Sequence, residues 1–250
     1  MTNQKYKFTK ETLHFNKHIL HRIVATRDFG YIKKGDLGGW IENENNLSHE
    51  GNCWVSDNAR VFDNAWVFGK AQVYGGAQVF GDAQVCGNAT VFENATVFGD
   101  ALVFGYARVC GNARVFDNAW VFGKAQVYGD AQVYGGAQVF GYAQVYGLAS
   151  VFEKALVCGD AQVCGNARVY GLASVFENAR VYGLASVCGK AEIKGTTYLT
   201  EGTHNGEDNE ENQANLTEEI AKLRQENEDL KAKLKKLQNS IATLVNTFNE

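Results

Sequence analysis

The fold this 250-residue sequence predicts is all-β, a single-stranded parallel β-helix of triangular coils, and three observations predict it. A valine stands at every sixth position from Val55 to Val187, with Ile193 closing the series. An alanine precedes each by two residues, from Ala59 to Ala191, with Cys53 in that place for the first unit. A glycine, aspartate or glutamate follows each by two. No insertion or deletion breaks the register across 24 units, so the chain is a repeat before it is anything else.

In Ala-x-Val the two apolar residues share parity, so on a strand both face one side. The next pair, typically Gly-Asn, Gly-Asp, Gly-Lys or Asp-Asn, turns the chain, because glycine and asparagine accept positive φ. Six residues are too few for a strand and its hairpin return, but they suit one side of a coil. Three sides close a coil, and 24 units make about eight coils, roughly 38 Å tall at a sheet spacing of ~4.8 Å. Valine and alanine fill the narrow interior, and the alanine corner has no room for anything larger. Residues 57–85 and 111–139 are nearly the same text, offset by three whole coils. Duplication in that unit keeps each residue on its own side.

Four segments follow from this. Residues 1–52 are not repetitive. Within them Tyr6-Lys-Phe8 and His21-Arg-Ile-Val-Ala25 alternate like short strands, while Asp28-Phe-Gly30 and Gly35-Asp-Leu-Gly-Gly39 form turns. A small β cap of this kind covers the open edge that a first coil would otherwise expose. Residues 53–199 are the β-helix, with Tyr198 and Leu199 closing its last coil. Residues 200–215 are acidic and amide-rich, the composition of a flexible linker. In 216–250 the residues Leu216, Ile220, Leu223, Asn227, Leu230, Leu234, Leu237, Ile241, Leu244 and Phe248 recur in alternating steps of four and three. That is the seam of an α-helical coiled coil. Glu219 opposite Arg224 of a second copy, and Glu226 opposite its Lys231, favour a parallel homo-oligomer. Asn227 leans towards a dimer, without deciding between dimer and trimer.

A formal net charge of −4 leaves no footprint for nucleic acid or an anionic membrane. The start lacks a signal-peptide core and no run of about 18 apolar residues exists, so the expected location is cytoplasmic. Cys86, Cys110, Cys158, Cys164 and Cys188 each follow a valine, where Phe or Tyr otherwise stands, and no two are one coil apart. They read as free thiols. His14, His18 and His21 suggest a metal site, but no Cys, Asp or Glu beside them completes a ligand set, so they read as strand or surface histidines. No cofactor or metal is expected.

The outward positions carry what specificity there is. The residue after the valine is aromatic in 17 of the 24 units, and Phe62, Phe80, Phe98 and Phe116 would stack as an offset ladder. One side differs from the other two, reading Trp66, Gln84, Leu102, Trp120, Gln138, Leu156 before the valine. Trp66, Phe68, Leu102, Phe104, Trp120, Phe122 and Leu156 on that wall form the expected lateral interface, most simply with another copy.

The hexads resemble those of left-handed parallel β-helices, the fold of the trimeric hexapeptide-repeat acyltransferases, and the left-handed winding is implied by that resemblance. A closer likeness takes in the cap. Arg22-Ile-Val-Ala-Thr-Arg-Asp-Phe-Gly30, Lys34-Gly-Asp-Leu-Gly-Gly-Trp40 and Asn46-Leu-Ser-His-Glu-Gly-Asn-Cys-Trp-Val55 are similar to the opening of the YdcK-like family of bacterial and phage-encoded proteins. Its members are often labelled transferases on fold alone. The acyltransferases generally need a histidine beside a coil and often a protruding loop, and between Trp54 and Gly195 there is neither. No catalytic residue is assigned from the repeat, and His49 at the capped end is the candidate base. The expected function is a structural or assembly protein, phage- or prophage-related and virion-associated if phage-encoded. The alternatives are a divergent acyltransferase and a carbohydrate-binding module using exposed aromatics such as Tyr128 and Tyr146.

Overall fold

The computed structural model describes residues 4–206 and, beyond them, 222–228, 231, 233 and 235. The chain divides into two compact units, Met1–Gly206 and Glu207–Glu250.

The first unit is a parallel β-solenoid of about nine coils. Each hexad contributes one two-residue strand to one of three walls, and each strand pairs in parallel with its counterparts in the coils before and after it. Wall I runs from Leu37–Ile41 and Arg60–Val61 to Thr203–His204, wall II from Trp54–Val55 to Tyr198–Leu199, and wall III from Trp66–Val67 to Glu192–Ile193. The expectation of about eight coils falls one short because residues outside the hexad register supply further sides. Ile41 pairs with Val61 and Leu47 with Val67, so Ile41, Leu47 and Val55 make a coil below the first complete set of hexads. Leu199, paired with Val181, completes the last one.

Valines 55–187 and alanines 59–185 are fully buried, one on each side of every corner. The backbone is satisfied between coils. In one representative unit Gln126, Tyr128 and Asp130 amides donate to the carbonyls of Ala143, Val145 and Gly147 at 2.9, 3.0 and 2.9 Å. Within the turn the Ala125 amide donates back to Phe122 at 3.3 Å. The residue two after each valine holds positive φ throughout, so its Cβ, if it has one, points at the coil above. At Gly111, with φ of 70°, an added Cβ would sit 2.8 Å from the Gly129 nitrogen. Aspartate and glutamate tolerate six of these corners, and four of the six carboxylates accept from the corner amide of the next coil. Those are Asp57 to Gly75, Asp63 to Gly81, Glu93 to Gly111 and Glu177 to Gly195, at 2.6–3.2 Å.

On wall I the rings of Phe62, Phe80, Phe98, Phe116, Tyr134, Phe152 and Tyr170 form one continuous stack. Successive centroids lie 4.8–5.0 Å apart and the planes stay within 4°. On walls II and III the cysteines interrupt the stacks, leaving shorter runs such as Tyr128–Tyr146 and Phe104–Phe122–Phe140. All six cysteines are free.

The cap is three strands, β1 (Tyr6–Phe15), β2 (His18–Ala25) and β3 (Leu37–Ile41), antiparallel to one another. β3 then pairs in parallel with Arg60–Val61, so the hairpin extends wall I. Trp54, with Tyr6 and Phe29 edge-on at 6.4 and 5.3 Å, plugs the open core. Asn46, fully buried, closes the first corner. Its Nδ2 donates to the Asp63 and Ala65 carbonyls, and its Oδ1 accepts from the Glu42 and Asn43 amides. Lys5 is buried too, donating to the Cys53 carbonyl at 2.9 Å and to Cys53 Sγ at 3.1 Å. Burial lowers the Lys5 ammonium and raises the Cys53 thiol relative to their ordinary pKa values.

In the second unit residues 222–228 are helical, with Leu223 exposed and Asn227 Nδ2 donating to the Leu223 carbonyl at 3.2 Å. The other seam positions, Leu216, Ile220, Leu230, Leu234, Leu237, Ile241, Leu244 and Phe248, lie outside the described residues. No helix among the described residues is long and apolar enough to cross a membrane.

Two substitutions test the packing of the coil. Gly111→Ala should lower stability by about 1–2 kcal/mol from positive φ alone, and further from the crowded Cβ. Ala119→Val, at a fully buried corner, should cost about 1–3 kcal/mol by overpacking. Denaturant midpoints measure both, and wild-type midpoints for the pair would show that the coil has slack.

Candidate functional site

The cap and the first corner of wall I bring together three residues far apart in sequence. His18 opens β2 directly after the hairpin turn, Glu42 follows β3, and Asp63 is the positive-φ corner after Phe62. His18 Nδ1 lies 2.9 Å from Glu42 Oε1, and Nε2 lies 3.5 Å from Asp63 Oδ1. The remaining carboxylate atoms are tied down. Glu42 Oε2 accepts from the Asp63 amide at 2.7 Å, and Asp63 Oδ2 from the Gly81 amide at 3.2 Å. Burial alone would raise the Glu42 carboxyl. The hydrogen bonds from His18 and the Asp63 amide, with the charges of His18 and Lys17, outweigh it and hold the group below its ordinary value.

The imidazole is only 9% exposed, and it also terminates the wall I ring stack. Its centroid is 4.8 Å from that of Phe62, which Phe15 meets edge-on at 5.7 Å. An open groove of about 450 Å³ begins here, lined by Phe15, Lys17, His18, Asp63, Gln78 and Phe80 among others. One side-chain nitrogen or oxygen from each of His18, Glu42 and Asp63 falls within 4.8 Å of the others, close enough for a single ion to reach.

Local sequence spacing shows His18 without an acidic partner, and the fold brings two to it. Glu42 and Asp63 arrive from much later in the chain because β3 extends wall I beside the first hexad corner. His14 is exposed and His21 stacks on Phe8 at 5.0 Å, so neither joins the cluster. His49 stands elsewhere in the cap. Its ring stacks on Tyr6 at 4.2 Å, its Nδ1 accepts from the Lys5 amide at 3.2 Å, and its Nε2 is buried without a partner. Burial, chiefly, lowers its pKa.

The repeat around this site is of a known kind. Residues 83–99, 107–123, 125–141 and 161–177 each match the family model described as the YdcK beta solenoid repeat. The repeats of the shaft are therefore similar to those of the YdcK beta solenoid. A stretch of 62 residues is also 36% identical to a protein of Escherichia coli (strain K12) named "Uncharacterized acetyltransferase YdcK". That match takes in 22% of this chain and 19% of the relative, so the chain spans about a fifth of the curated protein it resembles.

On the solenoid the expected lateral positions share wall III. Strand register carries Trp66 to Gln84, Leu102, Trp120, Gln138 and Leu156 in turn. Trp66 and Trp120 are 42% and 41% exposed, and Leu102, Leu156, Phe68, Phe104 and Phe122 are half-buried. On wall II, a smaller groove of about 200 Å³ lies among Tyr146, Gln162, Cys164, Arg180, Tyr182 and Tyr198. A hydrogen bond with Cys164, then burial, pushes Tyr146 up to about 12.

Glu42→Gln removes the carboxylate that holds both His18 and the Asp63 amide. A carboxyl whose folded pKa is depressed stabilises fully above its unfolded value of about 4.3 and loses that contribution as pH falls through the folded one. The substitution should therefore cost roughly 1–2 kcal/mol at neutral pH, with the difference from wild type shrinking below about pH 4. Unfolding curves at pH 7 and pH 3.5 measure this, and a deficit unchanged by pH would contradict it.

Proposed function

We propose that this chain is a structural or assembly protein, a rigid left-handed solenoid joined into a parallel homo-oligomer. The observation that carries the reading is the uninterrupted register. From Cys53 to Lys194 every hexad is a strand and a corner, with no loop projecting to frame a substrate. Such a column is stiff because each coil is hydrogen-bonded to the next along all three walls. Two features supply contacts between copies. Wall III presents Trp66 and Trp120 to solvent, and the heptad pattern from Leu216 to Phe248 supplies a coiled-coil seam, of which Leu223 is 54% exposed. A phage or prophage origin fits the likeness of the cap to the YdcK-like opening. On this reading the protein is cytoplasmic, or virion-associated where a phage encodes it.

The second reading is acyl transfer, supported by the acetyltransferase name of the Escherichia coli relative. The histidine expected to serve it, His49, has its ring packed against Tyr6 and one nitrogen already bonded. That arrangement weighs against it as a base. Saturable binding of acetyl-coenzyme A by the full chain would favour this reading over the first.

Residues 1–206 contain the whole solenoid core, so the two units can be separated for measurement. Light scattering should give a mass two or three times the 27.5 kDa chain for the full-length protein and a lower assembly state for residues 1–206. Equal assembly states with and without the C-terminal unit would remove the coiled-coil clamp. In that case Trp66→Ser with Trp120→Ser would ask whether wall III alone associates.

A further inference from the structure

The cluster at the capped end brings a buried imidazole between two carboxylates. We propose that His18 Nε2 and Asp63 Oδ1 bind a divalent transition-metal ion, with Glu42 orienting the imidazole and the other coordination positions open to the groove.

The two contacts of the imidazole differ in length. A charge-assisted N–H···O⁻ bond closes to about 2.7–2.9 Å, and the Nδ1–Glu42 contact at 2.9 Å does so. The Nε2–Asp63 pair stays at 3.5 Å and makes no hydrogen bond of normal length. Ligand bonds of about 2.0–2.1 Å at a tetrahedral angle place nitrogen and oxygen roughly 3.3 Å apart. The observed gap is therefore close to the bite of a metal and wide for a proton.

The surrounding bonds point the same way. Nδ1 is engaged by Glu42, and in the neutral tautomer that carries its proton on Nδ1 the Nε2 lone pair faces Asp63. This carboxylate–histidine arrangement is the one that orients ligating histidines and raises their basicity. Asp63 Oδ2 is held by the Gly81 amide, which frees Oδ1, and Glu42 Oε2 is held by the Asp63 amide. Both candidate ligand atoms are thus fixed before any ion arrives, on a side chain nine-tenths buried and on a backbone corner. The charged neighbours are Lys17 on the groove rim and the Arg60 guanidinium, 4.4 Å over the Phe15 ring, set against the two carboxylates. An imidazole with a carboxylate selects the zinc, cobalt and nickel group over calcium or magnesium. With two protein ligands, the ion keeps open positions facing the groove beside Phe80 and Gln78, where a small anionic or neutral donor could complete its shell.

The test uses the full chain and Zn²⁺ alone. Titration followed by calorimetry gives affinity, and histidine side-chain ¹⁵N spectra, with His18 assigned from its absence in His18→Gln, report which nitrogen responds. The expected result is a shift of His18 Nε2 on adding Zn²⁺, an affinity at least tenfold weaker in Asp63→Asn, and a loss of about 10–100-fold in Glu42→Gln. Asparagine also tolerates positive φ, so Asp63→Asn keeps the corner, and far-UV spectra confirm that it folds. A His18 signal unmoved by Zn²⁺, or wild-type affinity in Asp63→Asn, would overturn the proposal and leave His18 as a clamp on the cap. Neither result depends on the oligomeric state, so the assembly reading stands or falls separately.

Discussion

A positive-φ corner repeated every six residues, each seated beneath the equivalent corner of the next coil, is the constraint that the rest of the structure depends on. Inter-coil hydrogen bonds fix the coil spacing, and at that spacing a Cβ directed upward is crowded by the backbone of the next corner. At Gly111 the distance available to a Cβ is 2.8 Å, well inside van der Waals contact. Where an acid occupies the corner, the equivalent residue one coil later is in every case a glycine, from Asp57 below Gly75 to Glu177 below Gly195. That order keeps carboxylates from stacking on one another. It also gives several of them an amide donor to offset the strained backbone.

Outside the coil, the same spacing turns single aromatic residues into a continuous surface. Parallel rings 4.8–5.0 Å apart cover one another's faces along wall I, so an aromatic exterior does not mean an apolar exterior of the full ring area. The stack needs an end. Phe15 and His18 provide it at Phe62, and in taking that position His18 comes within reach of Glu42 and Asp63. The candidate site is therefore a by-product of closing the solenoid, formed where a hairpin must cover both an open sheet edge and an exposed ring. Asp63 belongs to both features, since it is a corner residue and a candidate ligand.

How much of this was legible in the sequence depends on the range of the interaction. The hexad period, the inward valine and alanine and the ring ladder from Phe62 to Phe116 follow from parity and spacing within a few residues. So does the shared wall of Trp66, Leu102, Trp120 and Leu156. The coil count missed one because Ile41 and Leu47 enter the core from a segment with no hexad register. The histidines were harder. His14, His18 and His21 look alike in a local window, and only the pairing of β3 with Arg60–Val61 separates them by bringing acids to one of the three.

By itself the sequence determined the coil: a short period with an invariant small-then-branched pair admits one way to bury both and one place to turn. That information is local and repeated, so each unit confirms its neighbour. What the tertiary structure alone decided is the capped end, where β1, β2 and β3 lie on the first hexads and set His18 between acids from two later segments of the chain. No period encodes that meeting. It arises because the edge of a parallel wall has to be paired, and the strand that pairs with it brings its neighbours along.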